Sequence, residues 1–456
     1  MNRLSLRIPS QRLVLYDDLD SEGCRRHFRR EVQATPLKPL SQRATRANVR
    51  RVDILGRNGR KNLSPLKILS MKEFFVDPNI GRAESLPASA FVDPEFLDLE
   101  LGTIFAQTWL LAPQESDSQK GIANLTDSLE KTGSRVPFNL LGKPLFLLRG
   151  QQGKLNCFPN VCTHAWHPLV ESSSDGGAII CPQHGRQFDN EGKFLAQAGF
   201  EKMEGFPRES DNLRNVHVEE WGQWIFGSTG EPLAPFREFI EKVQQSIPGI
   251  KLESLRRQRV EGEVREVEGN WKQHAWNYMD NFHIRFVHKG PGGLASAIDL
   301  SSYRTELYKL SALQWAYARD EQNGFDPRLL ADRFRDPKNL SKRVFALWWF
   351  IFPNMTLNFY PWGLSVNVYM PIPGKPDKTL FLWFQYALDE DKFRHRNSTW
   401  LSDQVDAEDV EAITLVSTGA KSGFAPRGRF APNEEAGPHW FHRLVYETVF
   451  EHKRNP

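Results

Sequence analysis

Two short segments constrain this chain more than anything else in it: Cys162-Thr-His164 and, after sixteen intervening residues, Cys181-Pro-Gln-His184. Each places one thiol and one imidazole on a tight loop, where two donors can meet a metal centre with little further ordering. Two such loops can clamp one centre from opposite sides. Two Cys and two His fit a two-iron, two-sulfide cluster with thiolates on one iron and imidazoles on the other. Zinc draws on the same residue types. Zinc fingers, however, pair like with like, whereas both arms here are mixed. The strand-like flanks, with Pro182 and Gly185 as punctuation, argue against a chance constellation. His167 is a spare imidazole, expected to hydrogen-bond within its loop. Cys157 lies outside both arms and reads as a buried apolar thiol.

The rest of the cysteine inventory agrees with metal binding. Only Cys24, Cys157, Cys162 and Cys181 occur in 456 residues, far too few for a disulfide scaffold, so the thiols are expected to be reduced. No run of eighteen apolar residues is present, and no apolar leader opens the chain, so a cytoplasmic protein without a membrane span is expected. The net charge of +3 hides an asymmetry: residues 1–70 carry +10 and the remainder −7. A basic head can serve nucleic acid, anionic lipid or organelle targeting. No nucleic-acid motif flanks Arg25-Arg26-His27-Phe28-Arg29-Arg30, and Asp17-Asp18-Leu19-Asp20 is foreign to a targeting peptide. Residues 1–70 are therefore read as a basic, disordered tail, with no nucleic-acid partner expected.

Regular patterning starts at Met71. Residues 93–111 read as a short amphipathic helix running into an aromatic strand, in a leader of residues 71–112. Short strands with Gly/Pro turns follow, including Leu145–Arg149 and 155–161, and mark a β-rich domain over 113–231. Residues 232–456 change style, with helices expected at 235–246 and 270–288 and a strand at 258–268. Aromatic strands follow at 347–352, 364–370 and 380–386, and helices at 405–418 and 438–451. The fold class is α+β, a β-rich domain followed by one built on an antiparallel sheet.

A second constellation lies in the expected 270–288 helix. Asp280 and His283 are three apart and would share a helix face. His283 and His288 are five apart, about 140° on a helix of 3.6 residues per turn, so an ideal helix cannot aim both at one metal. The second His needs a frayed or bulged end, which Lys289-Gly290-Pro291 can supply. By itself this pattern is weak.

Together with the two arms, Asn270-Trp271-Lys272…Asn277-x-x-Asp280-x-x-His283-x4-His288 makes the chain resemble the α subunit of Rieske non-haem iron oxygenases over roughly residues 85–450. This family includes the ring-hydroxylating dioxygenases and the choline monooxygenase-like branch. Rieske proteins of respiratory chains add a disulfide cysteine to each loop; these loops have none, which places the chain with the oxygenase or ferredoxin type. The resemblance implies a [2Fe–2S] cluster on Cys162, His164, Cys181 and His184, and a mononuclear Fe(II) on His283, His288 and a downstream Asp. Asp409 in Glu408-Asp409-Val410 matches that Asp; Asp406 and Glu408 are rivals or members of a solvated helix face. Asp280 is implied as a carboxylate bridging a cluster imidazole and an iron imidazole. Ala165-Trp166 stands where the family has Arg-Gly, Gln183 and Arg186 where Tyr and Trp are common, and Phe282 where Tyr is frequent.

The resemblance further implies a helix-grip (START-like) catalytic domain, a homotrimer, and electrons from NAD(P)H through a separate reductase or ferredoxin. The implied activity is O2-dependent hydroxylation or demethylation of a small organic substrate. The C-terminal Glu-Asp-Val, Gly428-Arg429 and His439-Trp440-Phe441-His442 pattern looks most like the quaternary-ammonium branch. Trp276, Trp315, Trp348, Trp349, Trp362 and Trp383 offer aromatic surface for a cation, or simply pack a sheet. An arene-hydroxylating dioxygenase and a non-catalytic Rieske electron carrier with a ligand-binding module are the competing readings.

Overall fold

The computed structural model describes residues 72–112, 127–258, 262–289, 293–395 and 399–451. The basic stretch of residues 1–70 lies outside the described residues. Helix α1 (Pro94–Gly102) is capped by Asp93, whose side chain accepts from the Glu95 N–H, with Pro94 in the first turn. It leads to strand β1 (Leu110–Leu111), as the sequence pattern predicts.

Three small antiparallel sheets follow. Strands β2 (Arg135–Leu140), β3 (Lys143–Arg149) and β4 (Leu155–Pro159) form one; β5 (Ile179–Ile180), β6 (Gln187–Phe188) and β7 (Phe194–Ala196) form another. Strands β8 (His217–Trp221) and β9 (Trp224–Ser228) pair, and β9 also takes β1. Phe146, Leu148, Phe158, Ile179 and Phe188 form a small core that includes Cys162 and Cys181. The two thiols thus sit at the edge of a dry cluster.

After α2 (Phe236–Ser246) the chain builds an eight-stranded antiparallel sheet. Its order is β10 (Arg256–Gln258), β17 (Lys375–Ala387), β16 (Gly363–Ile372), β15 (Met355–Tyr360), β14 (Val344–Ile351), β13 (Ser311–Tyr317) and β12 (Arg304–Leu307). β11 (Val264–Glu268) also pairs with β17. The strand expected over 258–268 is therefore two short strands along one long partner. All eight residues of β14 are buried, so both faces are covered. Neighbouring side chains point to opposite faces: the Trp349 indole N–H donates to Ser246 Oγ of α2 (3.2 Å), while Trp348 faces a cavity on the other side.

On that side lie α3 (Trp271–Met279), α4 (Ile284–Val287), α5 (Thr399–Lys421) and α6 (Ala436–Tyr446). Asn270 caps α3 reciprocally with Gln273. Trp271 and Lys272 then meet one carboxylate of α1. Glu100 Oε2 accepts from the Trp271 indole (3.0 Å) and from Lys272 Nζ (2.9 Å), and both charged side chains are 0% exposed. The residues 72–112 are tied to the C-terminal half elsewhere too: His442 Nδ1 accepts from the Leu86 N–H, and Arg427 donates to the carbonyls of Glu73, Phe75, Glu84 and Ser85.

The helix expected over 270–288 is broken. α3 ends at Met279, Asp280 is extended (φ −84°, ψ 107°), and the one-turn α4 starts after His283. Asp280 and His283 therefore do not share a face of a continuous helix. The break turns the chain between them.

Candidate metal centres and pocket

The two Cys–His loops are near copies. In the first, the Cys162 N–H donates to the His167 carbonyl (2.8 Å) and the Trp166 N–H to the Cys162 carbonyl (3.1 Å). In the second, Cys181 N–H reaches the Arg186 carbonyl (2.8 Å) and Gly185 N–H the Cys181 carbonyl (3.0 Å). Each turn needs a left-handed residue at its fifth position, supplied by Trp166 (φ 65°) and Gly185 (φ 69°). The loops bring Cys162 and Cys181 together as free, buried thiols; burial and the neighbouring sulfur push the Cys162 thiol up. The His164 and His184 rings are 4.7 Å apart, with His184 exposed at its loop tip. Two adjacent thiols facing two adjacent imidazoles match the donor set of a Rieske cluster. Buried Arg186 joins the loops, donating to Thr163 Oγ1 (2.8 Å) and pairing with Asp211 (3.1 Å).

The second centre is assembled from α4 and α5. His283 and His288 bracket α4 and turn their Nε2 atoms to within 3.1 Å of each other. Asp409 Oδ1 stands 3.4 Å from His283 Nε2 and 3.1 Å from His288 Nε2, and one ligand atom from each lies within 4.8 Å of the others. That oxygen is buried without a well-directed hydrogen bond. Three converging lone-pair donors, one of them an orphaned carboxylate oxygen, fit a divalent metal held by a facial triad. Burial lowers the His283 imidazole, but the Asp280 and Asp409 carboxylates outweigh it and hold it at about 9. Burial would raise Asp409, but the two imidazoles hold it well below the usual carboxylate range.

Glu408 serves the same centre from outside. Its Oε2 is 2.7 Å from His288 Nδ1, and Gln404 donates to its other oxygen (2.7 Å). A carboxylate there fixes the imidazole with Nδ1–H outward and Nε2 free for metal. Successive residues on a helix point about 100° apart, so Asp409 and Glu408 reach opposite nitrogens of one ring.

Beside the triad lies a cavity of about 90 Å³, lined by Tyr278, Tyr303, Trp348, Tyr360, Trp362 and Asp406 among others. Tyr303 stacks on Trp348 (5.9 Å) and Tyr360 on Trp362 (4.8 Å). Burial, with the Asp406 carboxylate adding to it, lifts the Tyr360 phenol to about 12, so it stays protonated at neutral pH.

Residues 122–207 match the Rieske [2Fe-2S] domain family, and residues 253–450 match the ring hydroxylating alpha subunit (catalytic domain) family. The chain belongs to the Rieske non-haem iron oxygenases. This Rieske oxygenase is 25% identical to the chloroplastic choline monooxygenase of Amaranthus tricolor, over 82% of this chain and 80% of the relative. It is 22% identical to the carnitine monooxygenase oxygenase subunit of Acinetobacter pittii, over 84% and 96%. A quaternary ammonium Rieske monooxygenase shares its fold (TM-score 0.61, 21% identity, 81% of this chain and 97% of that one). So does naphthalene 1,2-dioxygenase with indole bound (TM-score 0.57, 18% identity, 80% and 92%). The α+β class expected from sequence is that of the family, and its oxygenases carry the Rieske cluster and a mononuclear iron.

Within this Rieske oxygenase, the structure groups Cys162, His164, Cys181 and His184 in one place and His283, His288 and Asp409 in another. Asp280 lies beside the second group, its Oδ2 3.6 Å from His283 Nδ1 and its Oδ1 accepting from the Phe282 N–H. Glu408 is neither a rival donor nor a solvated face residue, because it is spent on His288. Of the six tryptophans that sequence offered, Trp348 and Trp362 line the cavity. Trp349 and Trp383 are buried in the sheet, Trp315 bonds Glu306, and Trp276 packs on His442. The sequence reading overlooked Gln314, which lines the cavity from β13 and carries no motif. It also overlooked Glu100, whose role appears only once α1 and α3 are side by side.

Among the described residues, no helix is long and apolar enough to cross a membrane.

Proposed function

We propose that this Rieske oxygenase hydroxylates or demethylates a small quaternary or methylated amine, in the manner of the choline and carnitine monooxygenases it resembles. The observation that carries the reading is the small cavity beside the triad, lined by the stacked Tyr303–Trp348 and Tyr360–Trp362 pairs and by the Asp406 carboxylate. A cation is stabilised by ring faces and by a carboxylate, and about 90 Å³ lies well below the roughly 300 Å³ at which drug-sized pockets begin.

In this reading Cys162, His164, Cys181 and His184 hold the cluster, and His283, His288 and Asp409 hold the iron. When bound, the iron activates O2 and the cluster supplies electrons singly, drawn from NAD(P)H through a separate reductase or ferredoxin. Glu408 keeps His288 in its metal-binding tautomer. Asp280 orients His283 and accepts from His184 of a neighbouring chain in a homotrimer; the exposure of His184 at its loop tip supports that contact. The organisation is a tail (1–70), a leader (71–112), a Rieske domain (113–231) and a catalytic domain (232–456), and the protein works in the cytoplasm.

The test is reductase-dependent O2 uptake with a substrate panel. Quaternary or methylated amines should couple uptake to a hydroxylated or N-demethylated product. Coupling by neutral arenes alone would transfer the assignment to ring hydroxylation. Asp280→Asn should keep both metal centres and lose nearly all coupled turnover. Co-expressed His184→Ala and Asp409→Ala chains should recover partial activity in mixed trimers; none recovered from mixed trimers that demonstrably form would confine electron transfer to one chain.

A further inference from the structure

A full positive charge is buried between the two Cys–His loops. Arg186 stands two residues after His184 and is 2% exposed. Its guanidinium lies 5.3, 5.4 and 5.5 Å from the ring centroids of Phe194, Phe200 and Phe206. A guanidinium keeps its charge in such a place, and Asp211 pairs with it at 3.1 Å. A buried ion pair of this kind adds little net stability over apolar side chains of similar size. A fastener for the two loops would therefore need no charge there.

Two routes carry the guanidinium towards the cluster donors. Nη1 donates to Thr163 Oγ1 (2.8 Å), on the residue next to His164 in the first loop. Nε donates to Gln197 Oε1, which turns the Gln197 amide nitrogen to within 3.1 Å of His164 Nδ1. One amide therefore separates the charge from the His164 imidazole. Phe200 lies against both, its ring perpendicular to that of His164 at 5.3 Å. Burial, the neighbouring His184 and Arg186 all lower the His164 imidazole, so the cation is felt at that ring.

Asp211 offsets only part of this charge. Its Oδ1 meets the guanidinium while its Oδ2 accepts from the Arg208 N–H (2.9 Å). Its side chain is 12% exposed against 2% for Arg186, so water screens the carboxylate more than the cation. Reduction adds one negative charge to a cluster, and a nearby cation in a dry setting favours that state. Cluster potentials follow net charge and hydrogen bonding in this way.

We infer that Arg186 is a positioning residue for electron transfer, raising the reduction potential of the cluster through its charge while holding the first loop through Thr163 and Gln197. This rests on Cys162, His164, Cys181 and His184 as the cluster donors and is independent of the substrate. A raised potential eases electron entry from the donor protein and lowers the driving force for passing the electron onward. The sign of the charge at this position thus matters to the reaction, beyond the shape that the side chain fills.

The test is a spectroelectrochemical titration of the holoenzyme at fixed pH, with cluster content and the Rieske electron paramagnetic resonance signal recorded for each variant. Arg186→Gln should shift the reduction equilibrium about tenfold towards the oxidised cluster, a potential about 59 mV lower for one electron. Arg186→Lys keeps the charge and should return most of that shift. Asp211→Asn removes the opposing charge and should move the potential upward. Loosened loops would lower cluster content, but would not move the potential in opposite directions for the two partners. Where Arg186→Gln assembles no cluster, the rise in Asp211→Asn decides alone. An unchanged potential in Arg186→Gln, or no rise in Asp211→Asn, overturns the inference and leaves the cluster donors as assigned. A wild-type protein without the Rieske signal overturns the donor assignment itself.

Discussion

The Cys–His loops draw all four donors from residues 162–184, whereas the group of His283, His288 and Asp409 spans residues 283–409 and joins two helices that meet only in the folded chain. In the first region, each pair of donors is preset by two backbone hydrogen bonds within one turn. In the second, His283 and His288 are preset by α4, but Asp409 arrives from α5 after the whole sheet has been built. A local site depends mainly on its loops. A long-range site depends on everything that holds its elements together, because closing a long loop costs entropy that the fold must already have met. The difference separates what should disturb one centre from what should disturb the other.

The largest expected effects separate the centres outright. Asp409→Ala should lose the mononuclear iron and leave the cluster spectrum intact; His184→Ala should lose the Rieske electron paramagnetic resonance signal and keep the iron. Each should cut coupled turnover by more than the roughly 10–100-fold that partners behind a metal ligand control. Metal analysis with spectroscopy on both variants decides it. Iron retained in Asp409→Ala and lost in Asp406→Ala would move the third donor one turn earlier on α5.

The same contrast explains what could be read in advance. Cys162-x-His164 and Cys181-x-x-His184 are legible because their geometry is short-range, and spacing alone brings the donors together. His288 was legible only as a problem, five residues from His283 on a helix that could not aim both. The structure solves it by ending α3 at Met279 rather than by fraying beyond His288. Nothing in residues 277–283 marks that break, since Asn277, Asp280 and Asn281 read equally well as polar helix positions. Glu408 was visible but misplaced, because its role depends on which nitrogen of His288 faces outward. Gln314 and Glu100 gave no signal: a lone amide in a strand and a lone acid in a helix acquire their meaning from partners far away in sequence.

An intermediate effect tests the long-range dependence. Lys272→Met leaves Glu100 buried beside Trp271 with its charge uncompensated, and should destabilise the catalytic half by about 3–5 kcal/mol. The paired change Glu100→Leu with Lys272→Met should recover most of that, because two apolar groups replace two desolvated charges. Denaturant unfolding followed by tryptophan fluorescence and by cluster absorbance checks the contrast: the fluorescence midpoint should fall well before the cluster bleaches. Coincident losses would mean that the two halves unfold as one unit.

Smaller again is the effect of loosening His288 from behind. Glu408→Ala removes the carboxylate at His288 Nδ1 and should weaken iron binding by about 10–100-fold. Glu408→Gln keeps an acceptor without the charge and should fall between. Iron titration of the apoprotein, with the cluster spectrum as internal control, measures both. Equal affinities across the series would mean that the 2.7 Å contact does not set the tautomer.

The smallest expected effect compares the two loops with each other. They share their hydrogen bonds and their left-handed fifth residue, but one uses Gly185 and the other Trp166, which is 81% exposed. A non-glycine residue in that conformation costs about 1–2 kcal/mol. Trp166→Gly removes the strain but gives the unfolded chain about 0.4–1 kcal/mol of extra freedom. The net change should be a stabilisation of between about 0 and 1.6 kcal/mol. Trp166→Ala keeps the strain and should show no such gain. Gly185→Ala introduces strain and should destabilise its loop; an added Cβ there meets no neighbouring atom within 4 Å, so backbone conformation alone is at issue. The thermal midpoint of cluster bleaching ranks the variants. A clear loss of stability in Trp166→Gly would show that the indole is held by a contact that the single chain does not make, and would turn the exposed ring from a strained loop residue into part of an interface.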